Sequence, residues 1–133
     1  MNDSPDTVVL LEKAVENLAS AVSDHAAKRY NACANRAYYA CFQAAIAALI
    51  RAGVTPGNRD GTWGHGYVQS RFAGELIGRR KLYPAVLRDT LARLEELRER
   101  ADYHMIHVSE VQSARAVTRA RTFVQAIRGS EAR

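Results

Sequence analysis

Residues 30 to 52, YNACANRAYYACFQAAIAALIRA, constrain the fold more than any other stretch of this chain. Tyr30, Cys33, Ala37, Cys41, Ala44 and Ala48 recur at three- and four-residue steps, and Ala34, Tyr38, Phe42, Ala45 and Leu49 run beside them. At about 100° per residue the two lines merge into a face that is apolar over much of a helix's circumference. Such a helix must be covered on more than one side, so it is expected at the centre of a bundle, starting near Asp24 and ending at Ala52. Gly53 then supplies the left-handed conformation that closes helices.

The remaining pattern supplies the covering elements. Ser4-Pro5 predicts a helix start, a hydroxyl cap followed by a proline that has no donor to waste in the first turn. The stripe Val8, Leu11, Val15, Leu18, Val22 carries that helix to about residue 23. GVTPGNRDGTW, residues 53 to 63, has turn chemistry enough for the longest loop. A short helix from His65 to Ile77 is expected next, with Val68, Phe72 and Leu76 inside and Gly78 at its end. His65 itself, on a glycine-flanked turn, reads as a cap for exposed backbone groups, and Trp63 as a lid. A fourth helix starts at Tyr83-Pro84 with Leu87, Leu91, Leu94 and Ala101 inward. Ser109-Glu-Val-Gln matches a capping box and opens the last helix, whose expected stripe is Val111, Ala114, Val117, Ala120, Val124 and Ile127. No run alternates as a strand would. The fold class is therefore all-α with five helices, and 133 residues suit one domain, residues 1–133, ending in a polar tail at 129–133.

Charge bears on partners. The chain is formally +5, and its 19 basic residues include three lysines, Lys13, Lys28 and Lys81, leaving sixteen arginines. Arginine grips phosphate through a planar fork of donors, which suits a nucleic-acid partner, although genome composition and solvated helix faces produce the same bias. Cys33 and Cys41 are too far apart along one helix for a disulfide and read as buried thiols. No Cys or His spacing suggests a zinc site, and no cofactor is expected. The opening MNDSPD lacks the pattern of a secretory leader, and no apolar run reaches membrane-spanning length. The reading is a soluble protein of the reducing cytoplasm without a membrane partner.

The segment RERADYHMIH, residues 98 to 107, holds the chemistry. Arg98 lies eleven residues beyond Leu87, about 20° from the inner stripe of the fourth helix, whereas Arg100 falls about 140° away on the solvated side. An inward guanidinium needs an acceptor, and Asp102, one turn on, is within reach. The pair reads either as a structural ion pair at a helix junction or as an arginine held at a cleft for phosphate. His104 and His107 follow where the helix gives way to a loop. There an imidazole can sit over a substrate or merely complement the helix dipole.

NRAYYACFQAAIAALIRAG (35–53), GHGYVQSRF (64–72), LEELRERADYH (94–104) and SEVQSARAVTRARTFVQAI (109–127) together resemble the HEPN superfamily, in its small stand-alone subgroup with RAYYA and ADY segments. The likeness covers about residues 8 to 128. It implies an up-and-down bundle of four to five helices that forms a homodimer, often encoded beside a nucleotidyltransferase antitoxin. In active relatives an Arg, a polar residue and a His build a metal-independent ribonuclease site across the dimer. Arg98, Glu99 and His104 fit that form; Arg100 and His107 fit it less well, and Glu99 departs from the usual Asn, Asp or His.

The resemblance thus implies Arg98 as phosphate clamp and His104 as general acid or base acting on RNA, with Asp102 orienting Arg98 and Tyr103 stacking on a base or bonding phosphate. Arg36, Tyr38 and Tyr39 would support the cleft from the second helix, or the tyrosines are core packing with satisfied hydroxyls. Two other readings stay open. One is a non-catalytic module that binds nucleotide or RNA or docks the nucleotidyltransferase, with Tyr103 as acceptor of a nucleotide. The other is a basic helical nucleic-acid binder with its footprint at Arg115, Arg119 and Arg121.

Overall fold

The computed structural model describes residues 3–129. Among the described residues five α-helices build the bundle: α1 (Pro5–Ala26), α2 (Tyr30–Arg51), α3 (His65–Arg71), α4 (Thr90–Tyr103) and α5 (Glu110–Gly129). A π-helical stretch, Phe72–Arg79, continues α3, and a 3-10 turn, Ala85–Leu87, precedes α4. Among the described residues there is no strand. Of the expected polar tail, residues 130–133 lie outside the described residues.

α2 is the central helix. Ala34, Ala37, Tyr38, Cys41, Ala45 and Leu49 are fully buried, and α1, α3, α4 and α5 all pack on it. Cys33 and Cys41 are free and buried. The expected caps form. Ser4 Oγ accepts from the Thr7 amide at 3.2 Å, and Ser109 and Gln112 exchange bonds at 3.0 and 3.1 Å. Gly53, at φ +82, closes α2, its amide and that of Val54 reaching the Ile50 and Leu49 carbonyls at 2.9 Å each.

Two helix ends differ from expectation for one reason. α1 runs through Asp24 to Ala26, and α2 begins only at Tyr30. The break is made by Lys28 at φ +64, while the Arg29 and Lys28 amides bond Asp24 and His25 carbonyls at 2.8 and 3.0 Å. Asp24, instead of starting α2, lies in α1 and pairs with Arg29 at 2.9 Å. Likewise Gly78 does not end the third helix. The chain continues to Arg79 in wider turns, and the left-handed residue is Lys81, φ +54. A side chain in that conformation costs about 1–2 kcal/mol, offset here by the carbonyls it allows to be satisfied, and residue type gives no warning of it. The fourth helix also starts late, since Pro84 is extended and leads into the 3-10 turn before Thr90.

Most of the expected stripes of α1 and α5 face inward, with Leu11, Val117, Ala120, Val124 and Ile127 buried and Val15 and Leu18 packed against the core, but each inner face departs from its stripe toward the ends. Thr7, Leu11, Ala14 and Ala21 are buried, while Val8 and Val22 are exposed. In α5, Val111 and Ala114 face out and Ser113, Ala116 and Phe123 face in. The departures follow from buried polar residues: Ser113 is satisfied by His25 Nδ1 at 2.8 Å, and Thr7 Oγ1 by Ser4 Oγ at 3.0 Å. Hydrophobic periodicity cannot detect a hydroxyl that is satisfied by another side chain.

Candidate functional site

On α4 the buried stripe Leu91, Leu94, preceded by Leu87 in the 3-10 turn, leads to Arg98, which is 9% exposed. Burying a guanidinium requires compensation, and the seam with α2 provides it. Arg98 Nη1 donates to Asp102 Oδ2 at 3.2 Å, and the same carboxylate oxygen accepts from Asn35 Nδ2 at 3.1 Å. The guanidinium carbon stands 5.2 Å from the Tyr38 ring centroid and 5.7 Å from that of Tyr39. The two rings meet edge to face and form an aromatic corner for the cation. Burial works against the charge, but Tyr39, Tyr103 and Asp102 outweigh it, so the guanidinium's pKa is raised. Arg98 Nε is buried and has no hydrogen-bond partner.

Behind that corner lies a second cluster. The Tyr38 hydroxyl is 2.5 Å from His65 Nδ1 and 3.0 Å from Glu95 Oε2, with His65 Nδ1 and Glu95 Oε2 3.4 Å apart. The imidazole stacks on Phe42 with ring centroids 4.5 Å apart. Burial, the Glu95 charge and its hydrogen bond push the Tyr38 pKa well up, so the phenol keeps its proton. Its single O–H is directed at the carboxylate, hence His65 Nδ1–H donates to the phenol oxygen and Nε2 is the ring nitrogen left outside this network. The His65 side chain remains 42% exposed. Together these groups can hold an anion with a guanidinium and move a proton at an imidazole nitrogen.

The other sequence-predicted residues are placed as follows. Asp102, Tyr38 and Tyr39 join Arg98. Tyr103, 75% exposed, ends α4, and His104 follows it in extended conformation, exposed, its amide on the Arg100 carbonyl at 3.2 Å and its imidazole without a hydrogen bond among the described residues. His107 Nδ1 accepts from Asn31 Nδ2 at 2.9 Å, and Asn31 Oδ1 accepts from the Val108 amide at 2.9 Å, which staples the loop to the start of α2. Glu99 is exposed. Arg36 is not brought to the cluster; its Nη1 reaches Asn17 on α1 at 3.4 Å.

Sequence reasoning missed Asn35, Glu95 and His65. The first two had a signal, since 35, 38, 39, 42 and 95, 98, 102 each lie on one helix face. His65 had none. Read as a cap, it makes no side-chain capping bond at the start of α3, because its ring is taken up by Tyr38 and Phe42. Trp63 is half-buried and packed against the core, as expected of a lid. Among the described residues, no three His, Cys, Asp or Glu side chains converge as a metal set, and no helix is long and apolar enough to cross a membrane.

A search of curated proteins finds no match. The family model described as the HEPN domain matches residues 7–130.

Proposed function

The chain belongs to the HEPN domain family, and from that premise and the Arg98 cluster we propose that it is a metal-independent endoribonuclease, the toxin of a toxin–antitoxin or defence system. Membership fits a nuclease or a nucleotide-binding module. The observation that carries the nuclease is Arg98, a buried cation cornered by two tyrosine rings with one N–H unpartnered.

RNA brings its own nucleophile, the 2′-hydroxyl. A base takes the 2′ proton, the oxygen attacks phosphorus, and the bond to the 5′-oxygen breaks as an acid protonates it. A 2′,3′-cyclic phosphate and a 5′-hydroxyl result. Arg98 stabilises charge on the non-bridging oxygens, and His104 transfers a proton. In a homodimer His104 of a second copy would supply the other; His65, which shares Tyr38 with Arg98, offers a second imidazole within one chain. Exposed Met105 and Ile106 beside His104 form an apolar surface suited to that second copy.

The test is cleavage of single-stranded RNA in excess EDTA by wild type, Arg98→Ala and His104→Ala. Cleavage lost in both variants supports the assignment. Cleavage undiminished in both would sink it.

One observation favours the non-catalytic reading: the Tyr103 hydroxyl stands on an open surface next to Arg98 and could accept a nucleotide from a nucleotidyltransferase antitoxin. Intact-mass measurement after co-expression with such a partner would reveal the added nucleotide, and an unchanged mass counts against it.

A further inference from the structure

α4 and α5 meet antiparallel along a groove on the opposite flank of α4 from Arg98. Arg93, Arg100, Arg115 and Arg119 all line one stretch of it, a cleft of about 250 Å³ floored by Leu94 and Leu97. It continues past Arg93 and Arg119 into a wider section of about 440 Å³. Arg93 and Arg100 are two turns apart on one face of α4, and Arg115 and Arg119 one turn apart on α5. Four guanidinium groups therefore line two facing walls.

These cations are treated differently from many others in the bundle. Arg29, Arg51, Arg71, Arg79, Arg80 and Arg98 all stand against carboxylates. None of the four groove arginines has an ion-pair partner among the described residues, although Glu96 and Asp89 also line the groove. Four like charges that these two carboxylates only partly offset raise each other's cost, which an external anion would relieve. An extended row of forks fits a chain of phosphates better than a single one.

Outside the groove lining but one turn beyond Arg100 stands an exposed aromatic ring, Tyr103, whose hydroxyl is turned toward Arg98. Arg100 sits in the last turn of α4, Tyr103 is its i+3 neighbour on the helix surface, and the loop that joins α4 to α5 closes this end of the groove. Tyr103 is 75% exposed. A basic track ending near an open aromatic ring is the chemistry that holds single-stranded nucleic acid, with phosphates on the arginines and a base on the ring. An acidic peptide would have no use for the ring.

We propose that the α4–α5 groove is a backbone-binding track for single-stranded RNA, with Arg93, Arg100, Arg115 and Arg119 on the phosphates and Tyr103 stacking on a base. The track delivers the strand to the bend that carries His104. It also replaces the footprint expected from α5 alone, because Arg121 does not line the groove. Binding here does not require cleavage, so it stands apart from the nuclease reading.

The experiment uses the full chain and a fluorescent single-stranded 2′-O-methyl RNA, which lacks the nucleophile and stays intact whether or not the protein is a nuclease. Binding is followed by anisotropy across a salt series. Arg100→Gln/Arg115→Gln should weaken binding roughly tenfold and reduce the slope of log K against log salt by about 1.4, about 0.7 per lost phosphate contact. Arg121→Gln, on the same helix but outside the groove, should change affinity by no more than roughly twofold. All the substituted arginines are at the surface or only partly covered, so unchanged thermal unfolding verifies folding. Equal losses in the double variant and in Arg121→Gln would overturn the track, as would no binding by wild type. If ATP binds through these arginines while RNA does not, the groove takes a free nucleotide and the RNA proposal falls. Loss of RNA binding in the double variant, with no cleavage of ordinary RNA by wild type, upholds the track and removes the nuclease.

Discussion

The Tyr38 hydroxyl, from the middle of α2, lies 2.5 Å from the Nδ1 of His65 at the first turn of α3. Tyr38 is fully buried and its oxygen also bonds Glu95, so three elements converge on one phenol. The contact fixes which ring nitrogen of His65 faces outward, and it sets Tyr38 between that imidazole and the Arg98 guanidinium.

Tyr38→Phe keeps the ring beneath Arg98 but leaves His65 Nδ1–H and a Glu95 oxygen without their partner. We expect a loss of about 1–2 kcal/mol in urea unfolding at neutral pH. The Tyr38 pKa is raised in the folded state, so its contribution is complete below the unfolded tyrosine pKa of about 10 and is lost as pH climbs above it. Stability of wild type should therefore fall toward Tyr38→Phe in alkali. A constant gap between the two above that pH would contradict the assignment.

Glu75 provides the opposite case at acid pH. Hydrogen bonds from Arg79 and then Arg80 hold its carboxyl down at about 2, and Arg80 also donates to the Ala52 carbonyl at 2.9 Å. A lowered folded pKa stabilises above the unfolded carboxylate value and is lost as pH falls toward 2. Glu75→Gln should be less stable than wild type at neutrality, with the difference closing on acidification, as read from thermal unfolding across pH.

At Arg98 charge and shape can be separated. Arg98→Ala leaves Asp102 without its cation and a void beside Tyr38 and Tyr39, which should cost about 2 kcal/mol, below the range for a fully buried pair because Asp102 is partly solvated. Arg98→Lys keeps the charge and part of the packing but not the fork. It is expected to unfold within about 1 kcal/mol of wild type while losing most RNA cleavage. A lysine variant that cleaves as well as wild type would argue against bidentate phosphate binding.

Asn31 anchors the loop that carries His104 and His107 through two bonds, to the His107 ring and the Val108 amide. Asn31→Ala should cost about 1 kcal/mol and speed hydrogen exchange at the Val108 amide. If His104 works from this loop, cleavage should drop with the loosened anchor although Asn31 touches no substrate. Unaltered exchange at Val108 would show that the staple is not what holds the loop.

Local chemistry was enough for much of this molecule. The apolar circumference of residues 30–52 requires a buried helix, the hydroxyls of Ser4 and Ser109 fall where free amides need acceptors, and the 3.6-residue period turns Arg98 inward toward Asp102. Each of these depends on groups within a few turns of one another, so spacing alone determines who meets whom. Other features depended on groups far apart in the chain. Lys28 and Lys81 bear the left-handed strain at helix ends because the packed helices gain from the turns they make. Ser113 is tolerated inside because His25 reaches it across 88 positions of sequence. His65 enters the Arg98 neighbourhood only when α3 folds back over α2, 27 residues from Tyr38. The four groove arginines become one surface only when α4 and α5 lie antiparallel. A side chain's own period tells which way it faces along its helix, but which helix stands opposite is decided by the packing of the whole bundle.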